Sequence, residues 1–300
     1  MTNVVSINNV TKKFGETTAV NNVSLSIEKS STVAILGPNG AGKTTTIFMM
    51  LGLLEPSKGS IEIFDSNPKS REVREKIGAM LQEVSLVDKL KVREILELYR
   101  TYYRFPLPMK ELIEITGLEK KELNKWANKL SGGQKRRIGY ALALAGNPDL
   151  IFLDEPTVGL DISARKSFWE RIDKLKSKGK TIIFTTHYLQ EADDFSERIL
   201  LFNEGEIIAD GKPNEIKARL TEQKISFKTK ETNIIEKVKN ITDVIDCYLE
   251  DNRVFIRTKN TDVVMAMLYK QNFDIEDIQM EQGRLEDVFE LLTNTNREVV

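Results

Sequence analysis

From Val20 to Ile27 the chain ends in clean alternation, with Val23, Leu25 and Ile27 on one side and Ser24 and Ser26 on the other. A period of two marks a half-exposed strand. Together with Val4 to Val10 and Ser60 to Phe64, it predicts an antiparallel sheet at the N-terminal edge. Val33 to Leu36 is a short apolar strand, and Lys76 to Leu81 is another that ends in Gln82. Leu150 to Leu153 is continuously apolar and closes on two acids, the composition of a strand buried on both faces. Thr181 to Thr185 is β-branched, and Ile199 to Phe202 with Glu206 to Ile208 forms a predicted hairpin around Asn203-Glu204-Gly205.

Between these strands the period changes. Val92, Ile95, Leu96 and Tyr99 recur at i, i+3, i+4 and i+7, the spacing of an amphipathic helix. Lys110 to Thr116 and Lys120 to Lys129 read as two more short helices, set off from the first by Pro106-Leu107-Pro108. The whole stretch from Val84 to about Ala145 is therefore predicted as a helical lobe inside a strand-rich domain. Ser163 to Ser177 and Tyr188 to Ser196 are further helices, and one more runs from the Asp210-Gly211-Lys212-Pro213 break to about Leu220.

Past residue 220 the rhythm is that of a smaller unit. Lys224 to Lys228, Val244 to Tyr248, Arg253 to Arg257 and Ile275 to Met280 read as strands; Asn233 to Asn240 and Asp262 to Lys270 read as helices. The order β-α-β-β-α-β is that of a ferredoxin-like sandwich, followed by an amphipathic helix from Leu285 to Leu292. The expected fold class is α/β with a mixed central sheet, an N-terminal antiparallel sheet and a helical lobe over 1–220, then a small α+β domain over 221–300.

Totals add little to this picture. Basic and acidic residues number 44 and 45, so no strong field invites nucleic acid. Cys247 is the only cysteine, which rules out an intrachain disulfide and suits a reducing compartment. The start of the chain reads as a strand and not as a signal peptide. No run approaches the ~20 apolar residues of a membrane span, so the chain is expected to be soluble on its own.

The candidate chemistry begins at Gly37-Pro38-Asn39-Gly40-Ala41-Gly42-Lys43-Thr44, followed by Thr45. It has the G-x-x-x-x-G-K-[ST] pattern between a strand and a helix. The glycines let successive N–H groups curl into an anion nest, and the helix start adds its positive dipole end. Lys43 supplies a point charge for the β- and γ-phosphates, and Thr44 carries a hydroxyl suited to Mg²⁺. This predicts a nucleoside-triphosphate site. Asp154 ends the buried strand, where it can hold Mg²⁺, and Glu155 follows, placed to orient and deprotonate an attacking water.

A second anion-reading element is Leu130-Ser131-Gly132-Gly133-Gln134 before a helix from Lys135 to Ala145. Ser131 and Gln134 fit a capping box. That leaves two glycines, each costing up to about 1 kcal/mol in a helical turn, and bare backbone there suits the close approach of a phosphate. Phe14, beside Gly15, is open to two readings, a core aromatic or a flat platform for a base.

Gly37 to Thr44, Gln82, Leu130 to Gln134, Leu150 to Glu155, Gly159-Leu160-Asp161 and His187 resemble, in order, the signatures of the ATP-binding cassette ATPases. The resemblance implies two cassettes arranged head to tail, with ATP on one P-loop capped by Ser131, Gly132, Gly133 and Gln134 of the other. It implies that Gln82 reports on Mg²⁺, that Asp161 lies at the seam, and that His187 contacts the γ-phosphate and holds the water with Glu155. Phe14 takes a position where tyrosine is usual, a change that keeps stacking and loses a hydroxyl contact. Every motif is intact, so hydrolysis is expected. Each occurs once, so a second cassette, identical or not, must come from another chain.

The resemblance further implies a separate membrane permease, received on a surface that includes Glu83 to Leu90, and hence a cytoplasmic protein at the inner face of the membrane. The stretch Leu285 to Thr293 resembles the ends of bacterial drug-exporter cassettes, which favours export of a hydrophobic or amphipathic compound, lipid or peptide. An importer cassette, or a cassette acting on ribosomes or DNA, is the alternative. The small C-terminal domain is expected to pair with the other cassette or to regulate it.

Overall fold

The computed structural model describes residues 2–288 other than 221, 232, 272, 282, 283 and 286; the helix expected from Leu285 to Leu292 extends outside the described residues. In chain order the elements of the first part are β1 (Asn3–Phe14), β2 (Thr17–Glu28), β3 (Thr32–Leu36), α1 (Lys43–Met50), β4 (Lys58–Ile63), α2 (Arg71–Arg74), β5 (Ile77–Met80), α3 (Val92–Thr101) and α4 (Met109–Thr116). They continue with α5 (Gly132–Leu144), β6 (Leu150–Asp154), α6 (Ile162–Ser177), β7 (Thr181–Thr185), α7 (Leu189–Phe195), β8 (Arg198–Asn203) and β9 (Glu206–Gly211).

The alternating strand β2 pairs antiparallel with β1, Val5 facing Ile27 and Ile7 facing Leu25. On its other side β1 meets β4, with Val5 against Ile63 and Ile7 against Ile61. That register gathers the apolar positions of all three strands on one face, as a period of two requires. A second sheet has the order β5-β6-β7-β3-β8-β9, with β5 through β8 parallel. β3 and β6 are buried along their whole length, as expected of parallel strands covered on both faces. β8 and β9 are joined by Glu204-Gly205, both at positive φ (47° and 82°), the backbone of a tight two-residue hairpin.

One apolar core joins the two sheets through α1. Ile47, Met49 and Met50 share it with Val5, Ile7 and Ile27 of the first sheet and with Phe152 and Leu200 of the second. On α6, Trp169 stacks on Phe195 at 4.5 Å and meets Phe184 edge-on at 4.8 Å, which fastens that helix to β7 and α7.

The lobe has its own core of Val92, Ile95, Leu96, Ile138 and Leu142, with Tyr99 packed against it. The helix expected from Lys120 to Lys129 is absent. Two single 3₁₀ turns, Glu122–Asn124 and Ala127–Lys129, stand in its place. The cause is backbone pairing with the strand-like entry to α3: Val92 N–H donates to Lys125 O and Ala127 N–H to Leu90 O, which draws Lys125 and Trp126 into extended conformation.

The chain divides into two compact units, Met1–Asp210 and Gly211–Val300. The division falls inside the Asp210 to Pro213 break, so α8 (Pro213–Leu220) goes with the second unit and not, as expected, with the first. The second unit continues with β10 (Gln223–Thr229), α9 (Ile234–Lys239), β11 (Val244–Glu250), β12 (Arg253–Thr258), α10 (Thr261–Lys270) and β13 (Ile275–Glu281). Its sheet has the order β11-β12-β10-β13, antiparallel throughout, which is the ferredoxin-like arrangement of the β-α-β-β-α-β string. Its core is Ile225, Phe227, Val254 and Ile256 against Val238, Val264 and Leu268.

Candidate functional site

β3 delivers the chain into the Gly37–Gly42 loop, where close approach leaves no room for side chains. A Cβ on Gly37 (φ 148°) would lie 2.2 Å from Phe202 O, and one on Gly42 (φ 98°) would lie 2.5 Å from Ala19 O. The loop is therefore clamped against β8 and β2 and its curl is built in before any ligand arrives. Gly42 is the left-handed N-cap of α1, and no side chain caps that end. Its N–H groups are left for an anion.

Lys43 folds back over the loop, donating to Gly37 O at 2.7 Å and Pro38 O at 2.9 Å. Burial draws its ammonium below the ordinary lysine value, while the nearby Glu155 and Asp154 carboxylates pull it back up. Loop cation and strand-end carboxylates thus face one another across the same space. Thr44 is exposed and Thr45 half-buried.

Asp154 is buried at the end of β6 and accepts a hydrogen bond from the Thr185 hydroxyl on the neighbouring strand β7. Glu155 leaves the strand with φ of 49°, an uncommon conformation for a residue with a side chain. Its N–H is held by Thr185 Oγ1 at 3.0 Å and Thr185 O at 3.2 Å. Its carboxylate is gripped on both sides: Gln82 Nε2 donates to Oε2 at 3.2 Å, and His187 Nε2 lies 2.5 Å from Oε1. Gln82, Glu155 and His187 come from the ends of β5, β6 and β7, so three adjacent parallel strands deliver them to one edge, where such sheets bind ligands.

Several residues that hold this edge escaped sequence reasoning. Glu191, buried in α7, accepts from Thr157 Oγ1 at 3.0 Å and Thr186 Oγ1 at 2.7 Å and lies 3.5 Å from Arg165 Nε. It ties the loop after Glu155 to the loop carrying His187. Its place four residues beyond the histidine was the available signal, hidden in a run that looks like an acidic helix surface. Arg136 donates to the carbonyls of Glu155 and Pro156; inside Lys135-Arg136-Arg137 it reads as part of a solvated basic stretch.

At the start of α5 both halves of the capping box are present: Gln134 N–H donates to Ser131 Oγ at 3.3 Å and Ser131 N–H to Gln134 Oε1 at 2.9 Å. The Gln134 amide also reaches Glu122 Oε1 at 2.5 Å. A Cβ on Gly132 or Gly133 would meet nothing within 4 Å, so folding of this chain does not demand those glycines. These residues form a group of their own, bonded to the lobe. Asp161 is likewise occupied locally, capping α6 through Ala164 N–H at 2.8 Å.

Phe14 lies at the exposed end of β1, with Lys12 Nζ 5.0 Å from its ring centroid. Half of it is open to solvent (49%), so the core reading fails and the ring is left partly exposed beside the Lys12 ammonium.

Residues 20–158 match the family model for the ABC transporter. The Nod factor export ATP-binding protein I of Burkholderia lata is 39% identical over 71% of this chain and 72% of its own. The chain is an ATP-binding cassette ATPase. Two relatives extend over the cassette and its C-terminal unit. The Nod factor export ATP-binding protein I of Paraburkholderia xenovorans is 33% identical over 96% of both chains. The daunorubicin resistance ATP-binding protein DrrA3 of Streptomyces coeruleorubidus is 29% identical over 98% of this chain and 97% of its own. Among solved structures, a dimeric ATP-binding cassette in a post-hydrolysis state with ADP and Pi is similar at 33% identity and a TM-score of 0.64, over 69% of this chain and 98% of that one. The cassette is thus the ATPase subunit of an ABC transporter. Among its described residues no helix is long and apolar enough to cross a membrane.

Proposed function

We propose that this cassette drives export of a hydrophobic or amphipathic compound, lipid or peptide through a separate membrane permease, at whose cytoplasmic side it sits. What supports export is extent: proteins named for Nod factor export and daunorubicin resistance match the C-terminal unit as well as the cassette. That unit pairs with or regulates the second cassette.

The chemistry proposed for the site rests on the clasped Glu155. ATP stacks its base on Phe14 and lays its phosphates into the N–H groups of residues 37–45. Lys43 exchanges the Gly37 and Pro38 carbonyls for phosphate oxygens. The Glu155 carboxylate, aimed by Gln82 and His187, accepts the proton of the attacking water, and His187 offers its ring nitrogen to the γ-phosphate. Ser131, Gly132 and Gly133 of a second cassette, identical or not, close over the γ-phosphate, with Asp161 at the seam. The donor set fits Mg²⁺, a hard ion that takes few protein oxygens and the rest from phosphate and water: the Thr44 hydroxyl and Asp154 would hold it, with Gln82 beside them. When bound, it neutralises charge on the β- and γ-phosphates.

Affinity purification from detergent-solubilised membranes tests the reading, followed by transport assays in inverted vesicles. Recovery of a polytopic membrane protein, with ATP-dependent uptake of an amphipathic dye into those vesicles, is expected. Recovery of ribosomes without a membrane protein, or substrate movement in the opposite sense, would overturn it.

A further inference from the structure

We infer that Arg136 is a positioning residue that couples the two ATP sites one chain serves, making the conformation of Glu155 depend on the seating of α5. The inference rests on the proposed reading, in which Glu155 is the base of the chain's own site and the start of α5 caps the partner's ATP.

The geometry is specific. Arg136 lies on the second turn of α5, the helix whose first residues are Gly132 and Gly133. Its Nε donates to Pro156 O at 3.1 Å and its Nη2 donates to Glu155 O. One planar guanidinium therefore spans two successive carbonyls, a fork that an ammonium cannot reproduce. On the opposite side, the Glu155 N–H is tied to Thr185. The residue is thus held from both ends, by β7 through its N–H and by α5 through its carbonyl, and it rests in between at φ of 49°.

That conformation needs the support. A non-glycine residue in the left-handed region persists only where its surroundings impose it. Glu155 also precedes Pro156, and a residue before proline is steered away from right-handed helical backbone toward extended conformation. Released from Arg136, Glu155 relaxes to extended backbone, and its carboxylate swings off the line between Gln82 and His187. When a partner's ATP seats the Ser131 end of α5, it holds Arg136 on the Glu155 carbonyl that it already reaches in this structure. Filling of the far site is thereby reported to the near base through a single side chain, and the two sites fire together.

The test uses the full chain with Arg136→Gln and Arg136→Lys, with Glu155→Gln as reference. Nucleotide affinity is read with a fluorescent ATP analogue, folding by thermal melting, and turnover as a function of ATP concentration. Both Arg136 variants are expected to melt near the parent and to bind nucleotide with unchanged affinity. Their kcat is expected to fall by about 10²-fold, the cost of misplacing a reacting group by about an ångström, and their ATP dependence to be hyperbolic where the inference expects that of the parent to be sigmoidal. Retention of charge in Arg136→Lys separates fork geometry from net charge: recovery of parental kcat and cooperativity there would overturn the inference, as would parental values in Arg136→Gln. Wild-type turnover in Glu155→Gln would instead remove the underlying reading. Loss of turnover in Glu155→Gln with full activity in both Arg136 variants would sink the coupling alone.

Discussion

His187 Nε2 stands 2.5 Å from Glu155 Oε1, at the exposed mouth of a site whose carboxylate is itself buried. The contact fixes one of the two oxygens, and Gln82 fixes the other. A carboxylate aimed in this way keeps one lone-pair direction on each oxygen for water. Glu155→Gln should lower kcat by about 10²–10⁴-fold while leaving ATP affinity intact, because the amide keeps the shape and loses the basicity. His187→Ala should lose about 10²-fold and also lower ATP affinity, because its contact with the γ-phosphate goes with the ring. Single-turnover hydrolysis beside equilibrium binding checks both, and normal turnover in the Gln variant would take Glu155 out of the role.

Gly132 and Gly133 occupy helical positions with open space where a Cβ would go. Alanine at either should leave the monomer as stable as before or raise its stability by up to about 1 kcal/mol. ATP-induced dimerisation should nonetheless fail, since the added methyl blocks close approach of a phosphate. Gel filtration with ATP in a Glu155→Gln background reads this directly. Persistent dimers would assign the glycines no part in capping.

Ser131 serves as helix cap as well as proposed phosphate ligand, so its replacements carry two effects. Ser131→Ala should cost about 1 kcal/mol of stability through the lost cap, visible in melting without nucleotide. Ser131→Arg should add a block to dimerisation that Ala shows only weakly. Identical dimer yields for the two would argue that capping alone matters.

The Gly37 position behaves in the opposite way. A methyl there meets Phe202 O at 2.2 Å, a backbone atom of β8 that cannot step aside. Gly37→Ala should destabilise the first unit by about 1–3 kcal/mol through overpacking and weaken ATP binding with it. Chemical denaturation checks the size of the effect, and an unperturbed variant would show that the loop is not clamped.

Burial leaves the Lys43 ammonium titrating below the ordinary 10.5 of lysine. The charge is present at low pH and lost as pH rises through that lowered value, so ATP affinity should begin falling at a lower pH than that at which an ordinary lysine deprotonates. Lys43→Arg, which stays protonated throughout this range, should flatten that limb. Equal alkaline limbs in both proteins would assign the fall to another group.

Much of the site was legible from the chain alone, because its parts are local. A loop that must cradle phosphate needs Gly37, Gly40 and Gly42 close to Lys43, and a buried strand announces its end when Leu153 gives way to Asp154. Periodicity likewise marked the β-rich sheets, the α3 stripe and the order of the C-terminal sandwich. Only the tertiary structure could reveal partnerships between distant elements. Residues 82, 155 and 187 meet because β5, β6 and β7 are neighbours in a parallel sheet, an adjacency that sequence separation conceals. Glu191 and Arg136 look like ordinary surface charges until packing buries one and carries the other to the Glu155 and Pro156 carbonyls. Lys125 and Trp126 are extended, against their helical surroundings, because the chain before α3 lies within hydrogen-bonding reach. Short-range chemistry is written in consecutive residues; the forces that aim it act between strands and helices that only folding brings together.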